Sequence, residues 1–334
     1  MFGKMMNRYY YGKSGKGDYT KEDLPTTRWQ LFWEMLRVRF ASLFKLNFLY
    51  MVAWIPVILV IGRGVMLAYS GLANVMESQL ALEAGEMTAE AFQQLNADFL
   101  VAVKALLMQT LILLVPALAV TGPFTAGIAY ITRNWARDEH AFVFSDFMDA
   151  VKGNWKQALL TSTITGIVPL LLYVCVTFYS EMASESLLYM VPQAIVLMVG
   201  VVWLCSLMYI YPQMVTYNLT YKNLVRNSVI MTIGRLPMSV GIKLITVVPF
   251  LICLAVSLLT PYAQYALMIY AAYYIVLGFA LSRFIQASYA NAVFDKYINV
   301  NIEGAQVGKG LYNEDDDEDE EQPADETETP SADL

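Results

Sequence analysis

Charged residues are missing from five long stretches of this chain: Leu46 to Gly62, Ala105 to Thr132, Gln157 to Ser180, Ser186 to Tyr221 and Leu244 to Ser282. Each stretch is predominantly apolar, and a helix that crosses a bilayer needs about 20 such residues. The last block is long enough for two crossings, with a break expected near Thr260 and Pro261. The expected fold class is all-α: a polytopic membrane helical bundle of about six transmembrane helices, with interfacial amphipathic helices.

The segments between these blocks alternate in charge. If the N-terminus lies inside, 20 of the 22 Lys and Arg residues fall on the inner side. The opposite side holds only Arg63 and Lys104, against seven acids between Glu77 and Asp98 and at Glu181 and Glu185. Cytoplasmic loops retain Lys and Arg. This pattern predicts a multi-pass protein of the bacterial cytoplasmic membrane with both termini in the cytoplasm. The net charge of -7 hides it, because Glu314 to Leu334 carries 12 acids and no Lys or Arg.

An apolar content of 57% with 15% charged residues leaves room for one membrane domain and no large soluble one. The expected divisions are a basic cytoplasmic tail over 1–26, an interfacial helix over 27–45 and a six-span domain over 46–300. That domain includes an external segment, 63–104. A disordered acidic tail over 301–334 completes the chain. Residues 1–45 contain no short apolar core followed by a cleavage site, so the first span is expected to serve as the insertion signal. Cys175, Cys205 and Cys253 have no metal-type spacing and read as small apolar fillers.

Thr27 and Gln30 form a T-x-x-Q capping box ahead of Trp29, Phe32, Leu36, Phe40 and Leu43. This start suits a helix lying on the membrane or packed on the inner ends of other spans. Glu77 to Phe99 is rich in Ala, Leu, Gln and Glu, which favours an external helical hairpin. Pro116, Gly122, Pro123 and Pro212 mark expected helix breaks or cavity linings, because proline removes a backbone donor and clashes with the preceding turn. Gly and Pro can equally serve close helix packing. In the loop after Thr132, Phe147, Val151 and Trp155 recur at helical spacing behind a potential N-cap, Ser145. A weak repeat pairs YITRN at Tyr130 to Asn134 with LTYKN at Leu219 to Asn223, and GIVPLLLYVCV at Gly166 to Val176 with TVVPFLICLAV at Thr246 to Val256.

The run FKLNFLYMVAWIPV from Phe44 to Val57, TGPFTAG from Thr121 to Gly127, RNWARDEHAFVFSDF from Arg133 to Phe147 and NWK at Asn154 to Lys156 resemble the YesL-like membrane proteins of Gram-positive bacteria. That family is defined by a domain of unknown function. Its LN pair corresponds to Leu46 and Asn47, and its GP pair to Gly122 and Pro123. The resemblance covers most of residues 40–300, while the external segment and the acidic tail depart from the family pattern. It implies an accessory or transport role near carbohydrate uptake, and it carries over no catalytic or ligand-binding residue.

No enzymatic activity is expected, since the charge-free blocks contain no Asp, Glu, His, Lys or Arg to serve as nucleophile, acid or base. His140 stands alone. No cofactor, metal or nucleic acid is expected. A permease for a small neutral solute such as a sugar would draw on Gln109, Gln193, Gln213, Thr125 and Tyr217. The reading that accounts for more of the chain is an accessory membrane protein, with the lipid bilayer and membrane transporter subunits as partners. Arg133, Trp135, Arg137, Asp138, Asp146, Phe147 and Trp155 are the expected docking residues, since aromatics interleaved with Arg suit a partner surface. Charge reversal at Arg137 and Asp138 is accordingly expected to weaken association.

Overall fold

The structure is a computed structural model that describes residues 24–312. The acidic run and nearly all of the basic tail lie outside the described residues. Among those described, the chain is helical without a strand, and six helical segments are long and apolar enough to cross a membrane.

Helix α1 runs unbroken from Arg28 to Glu83. Its 56 residues would span about 84 Å if straight, against a hydrocarbon core of about 30 Å. The capping box forms as expected: Gln30 N donates to Thr27 Oγ1 (3.3 Å), and Thr27 N donates to Gln30 Oε1 (3.1 Å). The expected interfacial helix over 27–45 is therefore not a separate element. No Gly or Pro interrupts it before Pro56, so it continues into the first span. One face packs inward through Leu31, Met35 and Leu43, with Phe32 stacked on Phe284 at 5.4 Å. Trp29, Trp33 and Phe40 remain exposed on the other.

Helix α2 spans Ala89–Trp135, and Thr88 caps it by accepting from Ala91 N (3.3 Å). Gly85, at φ 75°, turns the chain between α1 and α2. The predicted external hairpin is thus the outward extension of the first two spans. Contacts between Gly71 and Phe99, and between Gly64 and Thr110, hold its two helices together.

Helix α3, Ser145–Ala183, lies against α2. The helices meet at small residues: a Cβ on Gly122 would collide with Ala158 O and Ser162 Oγ, and one on Gly166 would sit 2.9 Å from Val115 Cα. Of the two readings of Pro116, Gly122 and Pro123, a break does not appear, since α2 runs on through all three, and Gly122 serves close packing. At Pro123 the neighbouring helix supplies the missing donor. The proline cannot donate to the carbonyl four residues earlier, and Ser162 Oγ reaches that oxygen, Ala119 O, at 2.8 Å. Ser145 does not act as N-cap either; Phe144 occupies that position without a side-chain bond. The Asp146 carboxylate instead accepts from Phe142 N (2.8 Å), one turn back.

A 3-10 turn, Leu187–Tyr189, leads into α4, Met190–Thr216, followed by the short α5, Tyr221–Gly234, and α6, Leu236–Leu259. Pro212 lies inside α4 without breaking it, and the chain does break after Leu259, as the sequence indicated. Of the proposed repeat, GIVPLLLYVCV and TVVPFLICLAV both lie within helices, α3 and α6, whereas YITRN lies within α2 and LTYKN straddles the loop into α5. The last span comprises α7, Ala263–Tyr273, a π-helical turn, Tyr274–Gly278, and α8, Phe279–Tyr297. The 3-10 turn Asn299–Asn301 closes it. Tyr312 N donates to Pro25 O (2.9 Å), so both ends of the described chain meet at one end of the bundle.

The buried core, built on Leu31, Leu43, Leu46, Tyr50, Ile128, Trp135, Phe147 and Phe284, concentrates towards that end. Along the spans, large apolar side chains such as Leu59, Leu171, Leu197 and Ile252 are exposed. Such a surface is incompatible with water and natural in lipid.

Candidate functional site

At the end of the bundle where the chain ends meet, α2 terminates in a tight reversal. Asp138 takes a left-handed conformation (φ 55°), one that Asp tolerates better than most side chains. Glu139 N then donates to Asn134 O (2.9 Å), and the Glu139 carboxylate turns back towards the helix. Glu139 pairs with Arg133 (3.0 Å), Arg137 (3.3 Å) and Lys309 (3.2 Å). A second carboxylate, Asp295 on α8, is buried beside Arg28 and lies 4.0 Å from Arg137. It also accepts from Gly308 N (3.2 Å) and Asn299 Nδ2. Tyr217 OH extends the network to Asn299 Oδ1 at 2.6 Å. Burial pushes the Tyr217 hydroxyl up to about 12, against the opposing pull of Arg133 and Arg137.

Residues 302–312 form a strap over this network. Arg137 Nη2 donates to Gln306 O (3.2 Å) and Arg28 Nη1 to Lys309 O (3.4 Å). These residues belong to the segment expected as a disordered acidic tail; up to Tyr312 they are ordered, because Asp295, Arg28 and Arg137 hold their backbone and Glu139 holds the Lys309 side chain. In total four cations, Arg28, Arg133, Arg137 and Lys309, share two carboxylates.

The residues expected to dock a partner are divided by this arrangement. Trp135, Arg137 and Phe147 are buried, and Arg133 and Asp146 are half-buried in local pairs. Only Asp138 and Trp155 are exposed. Trp135 and Phe147 are core side chains because the helical period turns them onto α1 and Gly127 respectively. Charge reversal at Arg137 would break a buried ion network rather than alter a surface. Beside Trp155, Phe142 (65% exposed) and Phe144 (68%) are exposed aromatics of this end, with His140 edge-on to Phe142 at 4.6 Å.

Further into the bundle, Asn47 is fully buried and clamps the π turn. Its amide nitrogen donates to Tyr274 O (2.9 Å) and Ile275 O (2.8 Å), while its oxygen accepts from Ala280 N (3.0 Å). A π turn leaves backbone groups out of α register, and one side chain satisfies three of them. Tyr50, one turn along α1, shares a hydrogen bond with Thr125 (2.8 Å). Beyond these lie two cations from the ends of charge-free sequence. Lys243 on α6 donates to Gln286 Oε1 (3.2 Å), and Arg283 on α8 lies over the Tyr211 ring (5.8 Å) with Nη2 3.5 Å from Tyr50 OH.

The polar groups considered for a solute path stand at separate places, and of them Tyr217 lines a cleft of about 650 Å³ with Trp155 and Gln157. Gln109 accepts from Arg63 at the hairpin end, and Gln193 donates to Ser180. Gln213 donates to Ser228, and Thr125 and Tyr217 are paired as described. The space beside Arg283, between α2, α4 and α8, measures about 10 Å³.

Residues 100–175 match a family model. It is the model for DUF624, described as a protein of unknown function. The match covers α2 from Leu100 onward, the Asp138 reversal and α3 as far as Cys175. No curated protein and no solved structure matches the chain.

Proposed function

We propose that this chain is a non-enzymatic accessory or regulatory protein of the bacterial cytoplasmic membrane, with both ends in the cytoplasm, that docks onto membrane transporter subunits. The observation that supports this reading is the aromatic-tipped loop at the basic end. Phe142 and Phe144 stand out from a segment pinned by Asp146 and by the Arg133, Glu139 and Arg137 ion pairs beneath it. A pre-organised loop loses little conformational freedom on docking, and aromatic side chains supply contact area. The YesL-like resemblance adds carbohydrate uptake as the setting. A permease for a small neutral solute draws less support, since its candidate polar groups are paired at separate places.

The test is co-purification in mild detergent from the native host, with wild type beside Phe142→Ala/Phe144→Ala. Transporter subunits should remain on the wild type and be lost from the variant at equal yield. Wild type free of partners, with saturable sugar uptake in liposomes, would replace this reading with the permease.

A further inference from the structure

Lys243 and Arg283 meet well inside the bundle. Arg235, which donates to Tyr297 OH (3.2 Å), marks its basic rim. Lys243 lies eight residues further along α6, and Gln286 eleven residues back along α8, so both sit roughly 12–16 Å inside that rim. Among the described residues neither Lys243 nor Arg283 forms an ion pair with a carboxylate.

Lysine and arginine within spans ordinarily pair with an acid or mark a ligand pathway. Here Lys243 has an amide oxygen, while Arg283 has one distant phenol and the face of a ring. Gln286 stands between them, one turn from Arg283 on α8 and bonded to Lys243. Arg283 and Gln286 line one small gap with Thr132 and Tyr211, and Lys243 reaches it through Gln286. Both cationic residues are half-buried.

We propose that Lys243 and Arg283 form a binding site for a phosphate group, supplied by a phospholipid headgroup of the adjoining leaflet or by free phosphate. The guanidinium can present two N–H groups to two oxygens, and the ammonium can hold a third. Because the gap is too small for an oxyanion as it stands, the phosphate takes the place of Gln286 Oε1 on Lys243. The site is independent of the accessory role and of the aromatic loop.

The full chain is placed in nanodiscs containing phosphatidylglycerol for native mass spectrometry, and in lipid-free detergent for calorimetry with inorganic phosphate. Retention of phosphatidylglycerol, at least tenfold weaker in Lys243→Gln/Arg283→Gln, identifies a headgroup. Phosphate binding lost in the same variant identifies a free anion. If neither probe binds, or if both bind the variant as they bind wild type, the site does not exist. Lys243→Met guards against a variant that fails to fold. Removing one of two facing cations should raise the melting temperature of the probe-free protein and abolish the rise produced by the probe. A lower melting temperature with the probe effect intact would assign Lys243 a structural role only and overturn the proposal.

Discussion

Asn47 is the residue on which the shape of the sixth span depends. Its three bonds to the π turn come from one buried amide. A leucine of similar size would leave two carbonyls and one N–H without partners in a dry interior, at roughly 1–3 kcal/mol for each buried group left unsatisfied. Asn47→Leu should therefore lower the denaturation midpoint in micelles by several degrees; an unchanged midpoint would show that the turn holds without the clamp. Ser162 offers a sharper comparison. Ser162→Ala should cost about 1 kcal/mol in wild type, because Ala119 O loses its donor. In a Pro123→Ala background the N–H of residue 123 can serve Ala119 O, and the same substitution should cost less. Equal costs in both backgrounds would mean that Ser162 does not compensate for the proline.

Between elements, the contact of α2 with α3 depends on the absence of side chains. Gly122→Val would put methyl groups into Ala158 O and Ser162 Oγ, forcing the helices apart. A loss of about 1–3 kcal/mol or more follows from overpacking. Gly153, in the first turns of α3, has nothing within 4 Å of where a Cβ would stand. Gly153→Ala should stabilise the chain by about 0.5–1 kcal/mol through helix propensity alone. Melting curves of the two variants should shift in opposite directions.

For the whole molecule, the basic end is a latch between α1, α2, α8 and the strap. Asp295→Asn removes a charge faced by Arg28 and Arg137. Breaking a buried pair in this way costs about 3–5 kcal/mol. Limited proteolysis should then cut faster within residues 302–312 than in wild type, with the spans left intact. Orientation is tested with single cysteines in a chain whose three native cysteines are replaced. Glu86→Cys, on the hairpin turn, should react with an impermeant maleimide on intact cells. Asn301→Cys should react only after the membrane is opened, and the reverse pattern would invert the topology.

The span positions were legible in the sequence because hydrocarbon selects on composition over some 20 residues at a time, a property local to the chain. The capping box at Thr27 and the break after Leu259 were legible for a similar reason, each being set by a few neighbouring residues. Composition could not show that Trp135 and Phe147 are core rather than surface, since that depends on which helix stands opposite. Only the partner helix decided that Pro123 could sit in an unbroken α2, by supplying Ser162. The same holds for Asn47, which reads as a polar residue at a span entrance until α8 lies beside it. Lys243 and Arg283 are 40 residues apart and stand at the two ends of one charge-free block, Leu244 to Ser282. Their meeting inside the bundle follows from the antiparallel packing of α6 and α8, which no local pattern encodes.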